Sequence, residues 1–157
     1  MASAISHAIA ALSIGTAFST PKMAKRVWIA GALCSVFPDI DVIGFRLGAQ
    51  YGDFWGHRGF THSLLFAAVL AGAVTLTLLR SSGIGPGALF AYLFVATASH
   101  GLLDAMTNDG LGVAFFSPFD NQRYFLPWRP IRVSPISASR FLSPRGLAIL
   151  QNECVWI

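Results

Sequence analysis

The chain has 157 residues, room for one domain. Only 11% of them are charged and 54% are hydrophobic, against roughly 25% charged in a soluble domain, which excludes an ordinary water-facing surface. The net charge of +4 comes from basic residues scattered beside apolar segments, a distribution that excludes a concentrated nucleic-acid-binding face and suits contact with anionic membrane lipid.

Four apolar segments follow one another, and each reads as a membrane helix, because backbone groups inside lipid must pair within their own segment. The first, residues 5–18, is rich in alanine and closes at Thr20-Pro21-Lys22. No Lys or Arg precedes it, so it lacks the positive start of a cleavable leader and is expected to stay in the mature protein. The second, residues 27–41, ends in Phe37-Pro38-Asp39-Ile40-Asp41. The third, residues 62–79, contains sixteen consecutive residues without charge, 64–79. The fourth, residues 87–106, follows a turn signal at Ser81-Ser82-Gly83 and a helix start at Gly85-Pro86-Gly87. A span takes about 20 apolar residues. Segments three and four reach that with their flanks, whereas one and two are short and are expected to be half-buried or covered by neighbours. Gly15, Gly31, Gly72 and the many alanines would let such helices pack closely.

Residues 107–145 differ in character. They hold five of the eleven basic residues (Arg123, Arg129, Arg132, Arg140 and Arg145) and five of the eight prolines, with Phe, Trp and Tyr between them. This is a long loop on the membrane surface, with room for short strands, and Tyr124 and Trp128 suit the interface. Residues 146–157 turn apolar again and read as the start of a further span that continues past the sequence, or as a short anchoring helix. Cys34 and Cys154 lie in or beside apolar stretches without CxxC spacing. They read as small core residues, implying neither a disulfide framework nor a thiolate zinc site. The expected fold class is therefore all-α. One integral membrane domain, residues 1–157, forms a polytopic bundle of four helices with the start of a fifth and a long surface loop rich in Arg and aromatic residues.

Helix alternation locates the polar groups. In an up-down bundle with short connections, the start of segment one, the end of two, the start of three and the end of four share one side. Those places hold His7, then Asp39 and Asp41, then His57 and His62, then His100 and Asp104. All four histidines and three of the six aspartates converge there, while residues 19–26 and 80–86 contain no His, Asp or Glu. Taken singly, each has a plainer explanation: a satisfied surface His7, a helix stop at Pro38-Asp39, a capped loop at residues 57–63. The pair His100 and Asp104 is sharper. Its i,i+4 spacing puts both side chains on one face of an apolar helix, where ionisable groups are costly and usually functional.

Imidazole nitrogen and carboxylate oxygen are ordinary ligands for zinc, manganese or iron. Five or six of them can hold one ion with an open position, or two sharing a carboxylate, and a divalent metal can activate water near neutral pH. The absence of Cys ligands argues against a closed structural site, and no GxSxG elbow, P-loop or GxGxxG is present.

On these residues the chain resembles the YdjM-type family, described as LexA-regulated, membrane-bound, metal-dependent hydrolases. The matching pieces are His7, Phe37-Pro38-Asp39-Ile40-Asp41, His57-Arg58-Gly59-Phe60-Thr61-His62-Ser63, and His100-Gly101-Leu102-Leu103-Asp104. Thr107, Asp109-Gly110 and Ser117-Pro118-Phe119 continue the match, to about residue 135. A second likeness is to zinc-dependent phospholipase C, whose ligands fall in a similar chain order. It implies that Asp41, His62, His100 and Asp104 hold one ion, zinc foremost. Asp104 would bridge to a second ion bound by His7, with Asp39 or His57 assisting. No histidine follows His100, so a three-metal site is excluded.

The expected function is a membrane-bound metal-dependent hydrolase of a phosphoester, such as a phospholipid head group, acting through a metal-activated water. Asp39, His57 and Arg58 are the candidate catalytic residues. Arg58 and one of Arg123, Arg129 or Arg132 would steady phosphate oxygens. The alternative is a metal-binding or transport-related membrane protein without turnover. Transport calls for ligands near the bilayer midplane, and helix-end placement favours hydrolysis. The site face carries seven of the eleven basic residues, which points it to the cytoplasm.

Overall fold

The computed structural model describes residues 1–135 and 141–157. Arg140, counted above with the loop, lies outside the described residues. Among the described residues there are five α-helices: α1 Ala4–Phe18, α2 Lys25–Val36, α3 Leu64–Leu78, α4 Pro86–Ala105 and α5 Pro144–Trp156. Among the described residues there is no strand, and the 107–135 loop contributes only isolated bridges, Thr107 with Ile131 and Val113 with Tyr124.

The helices begin and end where local chemistry dictates. Ser3 caps α1, its hydroxyl accepting from the Ser6 N–H. Pro86 opens α4 in the first turn, where its missing N–H costs nothing. Helix α2 does not stop at its apolar run. It tightens into a 3-10 segment, Phe37–Leu47, with Pro38 near its start and Gly48 ending it at φ 88°. That continuation carries Asp39 and Asp41.

Helix α4 is the centre of the bundle and packs against α1, α2 and α3. Ala11, Val27, Cys34, Ala71, Leu89, Tyr92, Leu93 and Ala96 form the core. Small residues set the helix spacing. A Cβ at Gly31 would fall 2.0 Å from the Tyr92 Oη, so the tyrosine occupies the space that only glycine leaves, with its hydroxyl donating to the Ala11 carbonyl at 3.3 Å. Cys34 is buried, but Cys154 is exposed on α5, because that helix turns Glu153 inward instead.

The outer surface is apolar. Ile29, Leu33, Val69 and Leu76 are all at least 60% exposed, a display suited to lipid rather than water. Among the described residues two stretches are long and apolar enough to cross a membrane, Lys25–Leu47 and Pro86–Ala105. Helices α1 and α3 are apolar but shorter, with 15 residues each. The loop after α4 closes one end of the bundle. The Ala114 N–H donates to the Arg58 carbonyl, the Leu64 N–H to Phe115, and Asn108 and Ile131 link the two arms of the loop.

Candidate metal centre

The bundle end beneath this loop contains the polar residues. His7 lies one turn into α1, Asp39 and Asp41 on the 3-10 segment after α2, and His62 at the end of a 3-10 turn, Phe60–His62. His100 and Asp104 lie on α4. Gly101 lets His62 approach, since a Cβ there would meet the His62 carbonyl at 3.1 Å. His7, His62, His100 and Asp104 are buried, and the Asp39 side chain is 10% exposed.

Four of these groups converge. His62 Nε2 and His100 Nε2 are 3.0 Å apart. Asp39 Oδ1 is 3.3 Å from His100 Nε2 and 3.7 Å from His62 Nε2. Asp104 Oδ2 is 3.6 Å from His62 Nε2 and 4.0 Å from His100 Nε2. Ligand atoms around one tetrahedral ion, with bonds of about 2.0–2.1 Å, stand roughly 3.3 Å apart, so these four could hold a metal. His7 stacks on His100 with ring centroids 3.7 Å apart, and its Nε2 is 3.5 Å from Asp104 Oδ1.

Hydrogen bonding fixes which nitrogens face inward. His100 Nδ1 is 2.7 Å from the Ser35 carbonyl, an acceptor only, so Nδ1 carries the proton. His62 Nδ1 is 3.2 Å from Asp41 Oδ2, which likewise fixes its proton on Nδ1. Each Nε2 therefore faces the same point, next to the Asp39 carboxylate, and once deprotonated would direct its lone pair there. Among the described residues, neither Asp39 oxygen nor either His7 nitrogen has a hydrogen-bond partner. Buried polar atoms without partners are costly, and a cation at the point where the quartet converges would satisfy Asp39. This donor set fits zinc, manganese or iron.

Asp41 lies beside this quartet. Its Oδ1 accepts from His57 Nδ1 at 2.8 Å, and its Oδ2 accepts from the Thr61 hydroxyl at 2.8 Å and the Arg58 N–H at 3.3 Å. It thus orients both His57 and His62, in the manner of carboxylates behind metal-binding histidines. Asp41, His57 and His62 also form a second trio within ligand distance of one another. Burial holds the His57 pKa below the ordinary imidazole range, against the opposing hydrogen bond from Asp41. His57 Nε2 is buried with no hydrogen-bond partner among the described residues.

The arginines expected to meet phosphate are placed differently. Arg58 is 0% exposed at φ 64°. Its Nε donates to Asp104 Oδ2 at 3.1 Å, and its other nitrogens to Thr107 Oγ1 at 2.8 Å and to the Leu111 and Asp109 carbonyls. Every nitrogen is engaged by the protein, so Arg58 works as a buried counter-charge. Arg123 donates to the carbonyls of His57, Tyr51 and Asp53, and so fastens the loop that carries His57. Arg129 and Arg132 remain exposed, Arg129 stacked over Phe125 at 4.7 Å.

Three carboxylates, Asp39, Asp41 and Asp104, outnumber the two cations beside them, the Arg58 guanidinium and the Met1 amino group 3.9 Å from Asp104 Oδ1, and so favour a further positive charge at this point. The sequence reading also passed over Glu153 on α5, which is 1% exposed and hydrogen-bonded to Ser3 and Ser6. Its apolar neighbours gave no sign of an inward carboxylate.

An apolar-surfaced helical bundle with a buried histidine–aspartate cluster at one end defines a membrane protein with a candidate metal centre. The family model described as YdjM inner membrane protein matches residues 1–157, and the chain belongs to that family. It is 36% identical to the inner membrane protein YbcI of Escherichia coli (strain K12) over 157 residues, 100% of this chain and 91% of that one. It is 32% identical to the uncharacterized protein YvsG of Bacillus subtilis (strain 168) over 93 residues, 55% of this chain and 54% of that one. No solved structure gives a significant match.

Proposed function

We propose that this chain is a multi-pass inner membrane hydrolase that uses one divalent metal ion, zinc foremost, to cleave a phosphoester at the membrane surface. The observation carrying this reading is the convergence of His62 Nε2, His100 Nε2 and an Asp39 carboxylate, without a hydrogen-bond partner among the described residues, on one buried point. Asp39, His62, His100 and Asp104 would hold the ion, with His7 against Asp104 as a further ligand. Bound there, a divalent cation supplies Lewis acidity and makes water nucleophilic near neutral pH.

The protein's own residues do the rest. Asp41 keeps the His57 proton on Nδ1, leaving Nε2 free to accept a proton from attacking water. A protein that only holds a metal has no need of this second, separately oriented imidazole, which favours turnover over storage. Arg58 balances Asp104 and stays out of the reaction. Arg129 and Arg132, exposed on the loop, are the arginines available for a phosphate group or a lipid head group. The burial of the quartet favours a second reading, a metal-holding membrane protein without turnover.

Helices α1 and α3 are proposed to span together with α2 and α4. Their outward residues are apolar, Ile5 and Ile9 on α1, Val69 and Leu76 on α3, and short 3-10 turns extend α3 at both ends. The exposed arginines of the loop on the site face, Arg129 and Arg132, support a cytoplasmic placement of that face.

The test is hydrolysis of a phosphoester panel, including phospholipids in vesicles, by metal-loaded protein. Turnover that falls roughly 10²-fold or more in His57→Gln, with metal content unchanged, supports the hydrolase. Full metal loading with no turnover on any substrate supports the metal-holding alternative.

A further inference from the structure

Helix α5 lies outside the four-helix core, yet it carries a buried carboxylate. Glu153 Oε1 accepts from the Ser3 N–H at 2.6 Å, and Oε2 accepts from the Ser3 and Ser6 hydroxyls at 2.6 and 2.8 Å. Among the described residues no cation pairs with it, and a buried charge held only by neutral donors is costly. An apolar residue at this position of α5 would avoid that cost, so the contact itself calls for a role.

The segment that Glu153 grips is the one that reaches the metal centre. The Ala2 N–H donates to Asp104 Oδ1 at 2.8 Å. Ser3 caps α1, and one turn later His7 stacks on His100 and faces Asp104. The neighbouring residue on α5 holds the other side of the site. Asn152 Oδ1 accepts from the Arg132 N–H at 2.7 Å, and its Nδ2 donates to the Pro130 carbonyl at 3.3 Å. Ile131 between them pairs with Asn108 and Met106, next to the Thr107 that binds Arg58.

We propose that Glu153 is a positioning residue for the metal centre. Through Ser3 and Ser6 it locks the start of α1, and so fixes the Ala2 N–H on Asp104 and the seat of His7. The sequence-distant helix α5 thereby sets the geometry of ligands on α1 and α4. This inference rests on the metal-centre reading above.

The experiment titrates Co²⁺ into the full-length protein in detergent, following both affinity and the visible d–d bands that report ligand geometry. Removing a group that orients a ligand typically weakens metal binding roughly 10–100-fold. Glu153→Ala is expected to show a loss of that size with shifted bands, while Glu153→Gln, which keeps the size and one acceptor, is expected to stay within about threefold of the wild type, below that range. Should Glu153→Ala fail to fold, the double variant Ser3→Ala and Ser6→Ala, which removes both hydroxyl donors to Glu153 and leaves only the Ser3 N–H, is expected to shift in the same direction. Unchanged affinity and bands in Glu153→Ala, or in the double serine variant where Glu153→Ala does not fold, beside a wild type that binds one ion, overturn the proposal alone. A wild type that binds no Co²⁺ removes the metal-centre reading and this proposal with it.

Discussion

His62 Nε2 and His100 Nε2 face each other at 3.0 Å, and each ring has its other nitrogen committed to an acceptor, Asp41 for His62 and the Ser35 carbonyl for His100. Two neutral imidazoles so held repel through their lone pairs, and Asp39 adds a carboxylate to the same point. A metal ion or a proton must stand between them. The two occupants compete for the same lone pairs, so metal binding releases protons. Although burial opposes it, hydrogen bonds to Asp104, Asp39 and Asp41 raise the His62 pKa to about 10, so metal affinity is expected to climb with pH across the neutral range and to weaken steadily as pH falls. Calorimetric titration of Zn²⁺ at pH 8, 7 and 6 in buffers of different ionisation heat measures both the trend and the protons released. Affinity independent of pH would show that these imidazoles do not bind the ion.

Asp41 touches His57, His62, Thr61 and the Arg58 backbone. Asp41→Asn preserves its size and removes its charge. The expected result is metal affinity weakened roughly 10–100-fold, with the helical content unchanged. Competition against a chelator of known affinity reads the change.

Arg58 neutralises Asp104 in a fully buried setting. Arg58→Met leaves Asp104 Oδ2 without its guanidinium partner, and breaking a buried pair in this way costs about 3–5 kcal/mol. A clear drop in thermal unfolding temperature is expected in detergent. A variant as stable as the wild type that loses only phosphoester turnover would return Arg58 to the phosphate-binding role first expected of it.

Gly31 leaves the space that the Tyr92 hydroxyl fills. Gly31→Ala is expected to destabilise by about 1–3 kcal/mol through overpacking, and Tyr92→Phe in the same chain should recover part of that loss. Unfolding of the two variants side by side measures both effects.

Much of this was legible in the sequence. Long apolar runs set the helices to within a few residues, because periodic burial and lipid exposure both act through composition. The grouping of His7, Asp39, Asp41, His57, His62, His100 and Asp104 at one bundle end followed from alternating helix direction alone. What stayed hidden depended on side-chain direction within irregular backbone. The 3-10 segment turns Asp39 into the quartet and Asp41 behind it, the reverse of the order implied by the likeness to phospholipase C. Arg58 looked like an anion-binding arginine because its exposure cannot be read from a loop sequence, and its left-handed backbone, φ 64°, is a tertiary outcome. Glu153 was passed over for the same reason: a single carboxylate in a short helix reads as a solvated face until its partners on α1 are known.

The central claim is that His62, His100, Asp39 and Asp104 hold a metal ion. Elemental analysis of detergent-purified protein, beside the double variant His100→Ala and Asp104→Ala, tests it most directly. The native protein is expected to hold about one equivalent of zinc, manganese or iron, since the four donors fill one tetrahedral ion, with background levels in the folded variant. Metal at background in both would contradict it, leaving the cluster as a proton-sharing polar contact between helices.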